Sequence, residues 1–490
     1  MTLTMTISNW TRNGAAVLLA SVIAFGTLLS FGATAHGQAA GGGTPGEGQA
    51  GAQASAGTAA APDRARTSTE ARQDWKQWMK EHAIALDSIQ PEAAPQARIP
   101  AERFADLDAL KPLLEDKRIV YLGESSHGAA EYNSAKTRLI QYLHQELGFN
   151  VVAFETNLGN AASAYGHIRT REPVATMKDS IFRVWQAQET VPLFQYIKDT
   201  QNTKTPLALA GFDMQPQGAL FTGEWMGDAK LAKQFREAEQ ELDEWEMTED
   251  LEGYRKAKPK LLKVYQQVRA LLPKRAEELQ RQYPDNPHIV KLMERALDNR
   301  IQVVEEYMEI SINSSAFLNG KSMDYMSVIK SSEYRDRMMA DNLSWLAAHV
   351  YPNEKIIVWA HNGHIAKAYS QEMNSLPRVH MGEWMQKTEF KDQSYVIGLY
   401  MGGGRNAHVA GGASDVLPPM PHSVEEVMKG AGHPFAFVDL RYAKRVPGNS
   451  WMTQPNISYY DGVMPVSSIP AEQFDGILFI DQVSEPDYLK

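Results

Sequence analysis

The sequence contains no cysteine among its 490 residues. This absence excludes disulfide bonds, a cysteine nucleophile, thiolate metal sites and a lipidated N-terminal cysteine. A basic tract is also missing, and the formal net charge is −10. Because nucleic acids and anionic membranes are bound mainly through clustered Lys and Arg, we expect neither to be a partner of this protein.

The first positive charge of the chain is Arg12, and an apolar run follows it over residues 15–31. The run ends in small residues, with Ala33-Thr34-Ala35 or Gly37-Gln38-Ala39 as a cleavage site of the small-x-small type. This order predicts a secretory signal peptide over residues 1–35, and an uncleaved membrane anchor is the alternative. We therefore expect a periplasmic or secreted protein that has no stable membrane association once the signal is cleaved.

Residues 36–67 are rich in Gly, Ala, Ser and Pro and offer almost nothing to bury, so they predict a flexible, disordered tether. A helical pattern with a capping residue begins near Ser68. Single hydrophobic cores stop growing at roughly 250–300 residues. We therefore expect residues 68–490 to form one large domain with an insertion, and two separate domains are the alternative.

Short apolar runs rich in β-branched residues recur between helical stretches of the sequence. Because these runs are apolar throughout, they predict strands that are buried on both faces of a parallel sheet. Their alternation with helices predicts an α/β fold with a largely parallel central sheet flanked by helices. The runs cover residues 118–124, 150–155, 206–213, 355–362, 394–404, 436–440 and 476–481.

The first four of these runs end in side chains that can do chemistry. Ligands of open parallel sheets bind outside the carboxyl ends of the strands. We therefore expect these side chains, which are far apart in the sequence, to meet at one edge of the sheet. In chain order they are Glu124 with His127, then Glu155, then Asp213, and then His361, Asn362 and His364.

Roughly 140 residues separate the third and fourth predicted strands, far more than an ordinary crossover needs. Their composition and apolar spacing predict helices, which we assign to an insertion subdomain over residues 224–330. Since the insertion follows a strand that ends at the expected site, we interpret it as a lid over the carboxyl rim that shapes a pocket for a bulky substrate. A solvated helical hairpin without a role in binding is the alternative.

The helix that follows the first strand is predicted over residues 128–147. Lys136 lies within its apolar stripe, so it needs a partner such as Glu124 or Glu155 unless it reaches past its neighbours to water. His127 lies at or just before the N-terminus of this helix, where the helix dipole favours the neutral imidazole. A neutral imidazole is the form that a general base requires.

The stretch YLGESSHG, residues 121–128, is close to the nucleophile elbow of serine hydrolases but lacks one of its glycines in either register. One interpretation is a damaged elbow with Ser125 or Ser126 as the nucleophile. The other is a site in which Glu124 and His127 are the catalytic residues and the serines stabilise the turn. We favour the second, because a carboxylate near a histidine orients the imidazole and adjusts its pKa.

The same residues belong to a block that reads Gly-Glu-x-x-His-Gly-x-x-Glu over residues 123–131. With this block, the sequence resembles the erythromycin esterase family over most of the chain after about Arg98. Further stretches that carry the resemblance are GFNVVAFE (148–155), VWQAQE (184–189), GFDMQ (211–215), YRDRMMADNLSWL (334–346), WAHNGHIAK (359–367) and MGEWM (381–385).

The resemblance implies a metal-independent hydrolase that opens a macrolide lactone with water and uses no cofactor. It implies His127 as the general base, with Glu124 and Glu155 as supporting carboxylates. It also implies His361 and His364 as a second histidine pair. The partner of the site would be a small-molecule ester, and antibiotic resistance would be one role of this activity.

Members of the family often have arginine at the position of Lys136, and lysine cannot make the bidentate contact of a guanidinium. This departure bears on substrate preference or on the contact with an oxyanion. We predict no metal ligand in the site. The residues that we expect to contact the substrate are Lys136, Glu131, Asp213 and Asn362.

These observations lead to one hypothesis for the reaction. His127, oriented by Glu124 or Glu155, removes a proton from water, and the resulting hydroxide attacks an ester carbonyl. A further group then stabilises the oxyanion or protonates the leaving alkoxide. The candidates for that group are His361, His364 and Lys136.

Two other functions fit the same residues. A metal-dependent hydrolase is the first, because the rim offers enough histidine and carboxylate ligands for zinc or iron. His361 and His364 nevertheless lack the i, i+4 spacing of the zinc-binding helix. The second is an exported protein that binds a haem- or iron-type ligand on the same rim without turning it over.

Overall fold

The computed structural model of the protein describes residues 68–92, 98–217, 223–372, 377–409, 411–442 and 444–490. The predicted signal peptide and tether lie outside the described residues. The strands in chain order are β1 (Ile84–Ala85), β2 (Ile119–Leu122), β3 (Phe149–Asn157), β4 (Ala208–Asp213), β5 (Lys355–Trp359), β6 (Ser394–Met401), β7 (Arg405–Ala407), β8 (Ala413–Asp415), β9 (Phe435–Asp439), β10 (Asn456–Tyr460), β11 (Met464–Ser468) and β12 (Gly476–Ile480).

An eight-stranded sheet lies at the centre of the structure, with the strand order β1-β9-β12-β6-β2-β5-β3-β4. The strands from β12 to β4 in this order are parallel to one another, whereas β9 and β1 pair in antiparallel fashion. The central strands are buried on both faces, which is why they appear in the sequence as continuous apolar runs. The predicted α/β fold with a largely parallel central sheet is confirmed.

Helices pack on both faces of the sheet and fill the long connection between β4 and β5. Short 3₁₀ and π-helical turns extend several of them. The α-helices in chain order are α1 (Ser68–His82), α2 (Lys111–Leu114), α3 (Ala130–Leu147), α4 (Leu158–Tyr165), α5 (Pro173–Ser180), α6 (Val191–Thr200), α7 (Ala229–Glu246), α8 (Leu251–Leu271), α9 (Ala276–Gln282), α10 (Ile289–Gln302), α11 (Met308–Leu318), α12 (Met326–Trp345), α13 (Asn362–Ile365), α14 (Met381–Met385), α15 (Val424–Lys429) and α16 (Pro470–Gln473).

Two hydrophobic clusters occupy the two faces of the sheet, because successive side chains of a strand point to opposite sides. On β2, Ile119 and Tyr121 belong to one cluster, and Val120 and Leu122 belong to the other. The second cluster contains the apolar side chains of α3, and nearly every residue of that helix is buried. The helix ends at Gly148, whose φ of 72° is in the left-handed region that glycine adopts readily.

The register of the central strands places the predicted site residues at one edge. Leu122 of β2 and Phe154 of β3 both pair with Trp359 of β5, so the residues that follow these three positions leave the sheet side by side. Since the strands are parallel, the residues after their carboxyl ends meet above the same edge. The sequence-distant groups of the predicted site are therefore neighbours.

The connection between β4 and β5 is helical from Ala229 to Trp345, apart from short turns. Its apolar side chains belong to the same hydrophobic cluster as Phe212 and Met214 at the end of β4. The fully buried guanidinium of Arg300 pairs with Glu239 and donates to the carbonyl of Met214 at 2.9 Å, which ties the helices to the sheet. Movement of this region as a lid stays a prediction.

None of the helices in the described ranges is both long enough and apolar enough to cross a membrane.

Candidate active site

Glu124, which follows β2, is a buried carboxylate that contacts three side chains of the site. It accepts hydrogen bonds from Nζ of Lys136 at 2.5 Å and from Nε1 of Trp185 at 2.7 Å. Its Oε1 also lies 2.5 Å from Nδ1 of His127. Burial opposes ionisation of this side chain, yet Lys136 and His127 together lower the pKa of Glu124 below its usual value. Glu124 is therefore ionised at neutral pH.

The contact with Glu124 determines the tautomer of His127. An ionised carboxylate can only accept hydrogen bonds, so Nδ1 of a neutral His127 carries the proton. Nε2 then has a free lone pair, and the side chain is 21% exposed. The ring also packs edge-on against Trp185, with 5.2 Å between centroids, which limits its rotation. This is the geometry of an oriented neutral imidazole that can accept a proton from water.

Lys136 lies behind Glu124, and its side chain has no exposed surface. Its Nζ also lies 3.5 Å from the carbonyl of Ala360 and 4.5 Å from the centre of the Trp359 ring. Burial lowers the pKa of Lys136 to about 8, although the charge of Glu124 acts in the opposite direction. In this position the ammonium acts on the site through Glu124.

A second buried carboxylate, Glu155, lies at the end of β3. It accepts the backbone N–H of His361 at 3.0 Å and Nη2 of Arg335 at 2.8 Å, and it lies 3.2 Å from Nε2 of His364. Burial again opposes ionisation, but His364 and Arg335 lower the pKa of Glu155 to about 2. Glu155 therefore holds the loop after β5, whereas the contact with the His127 ring is made by Glu124.

Arg335 and His364 are the cations that compensate Glu155 and the carboxylates next to it. Nε and Nη2 of Arg335 donate to Oδ2 of Asp213 at 3.0 and 2.6 Å, in addition to the bond with Glu155. His364 lies between two carboxylates, because Nδ1 is 2.7 Å from Asp336 and Nε2 faces Glu155. Burial lowers the pKa of His364, but Asp336 and Glu155 raise it above its usual value. Its position favours the imidazolium form.

His361 has the opposite protonation pattern to His127. Its Nδ1 accepts the backbone N–H of Gly363 at 3.1 Å and caps α13, so Nε2 carries the proton of the neutral ring. Burial lowers the pKa of His361 to about 3, with a further contribution from the charges of His127 and His364. The rings of His361 and His127 have centroids 5.1 Å apart. The site therefore places an N–H donor beside the ring of His127, whose Nε2 can accept a proton.

Neither serine of the 121–128 stretch is free to act as a nucleophile in this conformation. Oγ of Ser125 lies 2.8 Å from the hydroxyl of Tyr132, and the residue is 0% exposed. Oγ of Ser126 accepts the backbone N–H of Gly128 at 3.1 Å, and the residue is 1% exposed. Both serines stabilise the turn that leads into α3.

Among the described residues, one group of potential metal ligands lies close together: Asp336, His364 and His380, with ligand atoms within 4.8 Å of one another. Both nitrogens of His364 already face carboxylates, and Nδ1 of His380 lies 2.9 Å from the carbonyl of Gly363. The two rings are stacked, with 23° between their planes and 5.4 Å between centroids. Nε2 of His380 lies 3.3 Å from Oγ of Ser332, so both nitrogens of each ring already have hydrogen-bonding or ionic partners.

The structure brings most of the predicted site residues together, but the side chains of two of them have other partners. Glu131 accepts the backbone N–H and the hydroxyl of Ser484 at 2.7 and 2.8 Å, next to the C-terminal segment. Asn362 is fully buried and exchanges side-chain hydrogen bonds with the backbone of Leu399 on β6. Contact of these two residues with a substrate stays a prediction.

Several residues of the site were not singled out in the sequence. Trp185, Arg335 and Asp336 lie within the stretches VWQAQE and YRDRMMADNLSWL, which carry the family resemblance. A signal in the sequence was the need to compensate the carboxylates of Glu155 and Asp213, because no lysine or arginine directly follows either strand. The arginine that does so comes from α12, far along the chain.

Comparisons with known proteins agree with this architecture. A family model described as erythromycin esterase matches residues 144–483, so the block with Glu124, His127 and Lys136 precedes the matched range. The putative hydrolase YbfO of Bacillus subtilis is 32% identical over 440 residues, which is 87% of this chain and 94% of that protein. Erythromycin esterase type II of Escherichia coli is 21% identical over 448 residues, covering 84% and 98% of the two chains.

Solved structures show the same fold at low sequence identity. A crystal structure described as a succinoglycan biosynthesis protein superposes with a TM-score of 0.63 at 20% identity, covering 85% of this chain and 99% of the other. A mutant of the erythromycin esterase EreC in its open conformation gives a TM-score of 0.53 at 20% identity, with 81% and 97% covered. Together with the family match over most of the chain, these findings show that the protein is a hydrolase of the erythromycin esterase family.

Proposed function

We propose that the protein hydrolyses an ester or lactone of a macrolide-like substrate by direct attack of water, with His127 as the general base. The observation that carries this proposal is the 2.5 Å contact between Glu124 and Nδ1 of His127. It leaves Nε2 as a proton acceptor on a partly exposed ring. The two internally bonded serines support attack by water over a covalent serine intermediate.

In the proposed reaction, a water molecule donates a hydrogen bond to Nε2 of His127 while its oxygen faces the ester carbonyl carbon. His127 takes the proton as the new C–O bond forms, and the carbonyl oxygen becomes an oxyanion. When the bond to the alkoxide breaks, the imidazolium of His127 returns the proton to the leaving oxygen. The products are a carboxylic acid, which ionises at neutral pH, and an alcohol.

Of the candidates for oxyanion stabilisation, we favour His361. Its Nε2–H is available beside His127, whereas both nitrogens of His364 face carboxylates and Lys136 is fully buried behind Glu124. A preorganised neutral donor in a site that is partly closed to water stabilises developing charge without itself losing a proton. The low pKa of His361 keeps the ring neutral at every pH at which the enzyme would work.

The test is hydrolysis of a panel of macrolides and simple cyclic and linear esters by the wild type and by His127→Ala. We expect kcat of the variant to fall by about 10²- to 10⁴-fold, which is the usual contribution of a general base. Ser125→Ala and Ser126→Ala serve as controls that keep the base. Loss of turnover in a serine variant, combined with labelling of that serine by a fluorophosphonate, would contradict direct attack by water.

A further inference from the structure

The carboxylates of the site are matched with cations in all but one case among the described residues. Glu124 pairs with Lys136, Arg335 pairs with Glu155 and Asp213, and His364 pairs with Glu155 and Asp336. Asp461 also lies at the site, yet within the described ranges no nitrogen of Lys, Arg or His is within 4.0 Å of its carboxylate. Arg335 and His364 each serve two carboxylates, so three cations serve four carboxylates and Asp461 is the fifth.

Asp461 is held at the tip of the hairpin formed by β10 and β11. Asp461 and Gly462 have φ values of 51° and 65°, which are the left-handed conformations that tight hairpin turns require. The backbone N–H of Asp461 donates to the carbonyl of Ser125 at 2.8 Å. Nδ2 of the fully buried Asn406 donates to the carbonyl of Asp461 at 3.2 Å. The tip is therefore fixed against the loop that carries Glu124 and His127.

The carboxylate of Asp461 has only a neutral hydrogen-bond partner. Ser126 uses its oxygen to accept from Gly128, so its hydroxyl proton is free for the bond that it makes with the side chain of Asp461. Burial raises the pKa of Asp461 above its usual value, although the hydroxyl of Ser126 and the charges of His127 and His408 act in the opposite direction. Both Asp461 and His127 keep part of their surface exposed. The ring of the neighbouring Tyr460 lies 5.6 Å from that of His361, so the hairpin tip that carries Asp461 borders the histidines of the site.

We propose that Asp461 determines specificity by binding a cationic group of the substrate, so that the site prefers esters with an ammonium group over neutral esters of the same shape. This inference rests on the proposed ester hydrolysis. A partly buried carboxylate without a cation is stabilised when a substrate supplies one, because Coulomb attraction is strong where water is partly excluded. The formal net charge of the protein is −10, so its long-range field is negative, like the charge of Asp461, and would also favour the approach of a cation.

The experiment compares acetylthiocholine with 3,3-dimethylbutyl thioacetate, in which a neutral carbon replaces the ammonium nitrogen. Both release a thiol that a disulfide reagent detects, and the protein itself contributes no signal because it has no cysteine. For the wild type we expect kcat/KM for the cationic ester to exceed that for the neutral ester by about tenfold, which corresponds to about 1.4 kcal/mol. The preference should weaken as salt concentration increases.

The variant Asp461→Asn removes the negative charge and keeps the shape of the side chain. We expect the ratio of the two kcat/KM values to fall to about one, whatever happens to the absolute rates. The matched control is Asp415→Asn, which removes the same charge from a side chain that is 82% exposed on the nearby β7–β8 hairpin. This control should keep the ratio of the wild type.

Other outcomes would overturn the proposal. An equal fall in the rates of both esters in Asp461→Asn, with a shift of the acidic limb of the pH profile, would show that Asp461 only tunes His127. The same ratio in Asp461→Asn and wild type would show that it does not contact the cation. If neither ester is hydrolysed, the proposed function fails for these substrates. In that case, binding of choline and of 3,3-dimethylbutan-1-ol, measured by NMR titration, still tests the preference in both proteins.

Discussion

Removing the ammonium of Lys136 is the most direct test of how Glu124 orients His127, the proposed general base. Lys136→Met keeps an unbranched side chain of similar length and leaves Glu124 without its nearest cation. Both side chains are almost completely buried, with exposures of 0% and 1%. Taking one partner from a buried ion pair costs about 3–5 kcal/mol, because the remaining charge is uncompensated. Since Trp185 and His127 still contact Glu124, we expect the lower end, about 3 kcal/mol.

The effect of the Lys136 ammonium on activity depends on pH, and the variant Lys136→Arg can isolate this dependence. Burial lowers the pKa of Lys136 to about 8, so the wild-type ammonium loses its proton as pH rises above that value. Glu124 then lacks its cation and orients His127 less well, and we expect kcat/KM to decline above about pH 8. The guanidinium of Lys136→Arg stays charged in this range, so its activity should extend to higher pH.

Urea unfolding measures the loss of stability in Lys136→Met. Profiles of kcat/KM against pH on one neutral ester measure the effect of the ammonium on activity. The larger side chain of Lys136→Arg has to fit into a fully buried site, so the shapes of the profiles are compared and not their heights. An alkaline limb near pH 8 that persists in Lys136→Arg would refute the role of the ammonium. A Lys136→Met variant as stable as the wild type would refute the energetic reasoning.

Two further variants test the other half of the site. Arg335→Met leaves the buried carboxylates of Glu155 and Asp213 without the guanidinium. The free energy of unfolding, measured by urea titration, should therefore fall by about 3–5 kcal/mol. An unchanged midpoint would contradict the pairing. His361→Asn keeps an oxygen that can accept from Gly363 but lacks the Nε2–H donor, so kcat should fall by about 10²- to 10³-fold with little change in KM. His361→Gln, which can place an amide N–H near the former Nε2, should recover part of that loss, and no recovery would point away from oxyanion stabilisation.

The central sheet could be predicted from the sequence because its strands are buried on both faces and are apolar throughout. Glu124, Glu155 and Asp213 each follow such a run, and parallel strands bring their carboxyl ends to one edge. For that reason the meeting of sequence-distant groups could be predicted without knowing the strand order. The antiparallel strands β9 and β1 at one edge do not affect this result, because the site lies between β6 and β4.

The partners of the carboxylates could not be predicted in the same way. Which carboxylate contacts His127 depends on the three-dimensional path of the loop after β2, and the sequence left Glu124 and Glu155 equally open. Arg335 lies on α12 and Asp461 on a hairpin tip, so neither follows a strand of the central sheet. Their roles depend on packing between elements, and short-range patterns in the sequence carry no information about that packing.

The contrast between His127 and His361 shows how two equal side chains acquire opposite roles. Glu124 contacts the ring of His127 and fixes its proton on Nδ1, which makes Nε2 an acceptor. Glu155 contacts only the backbone N–H of His361, while the N–H of Gly363 donates to Nδ1, which leaves the proton on Nε2. The division into base and donor therefore follows from which atom of each histidine its carboxylate contacts, and exchange of the two roles would require both loops to change their hydrogen bonds.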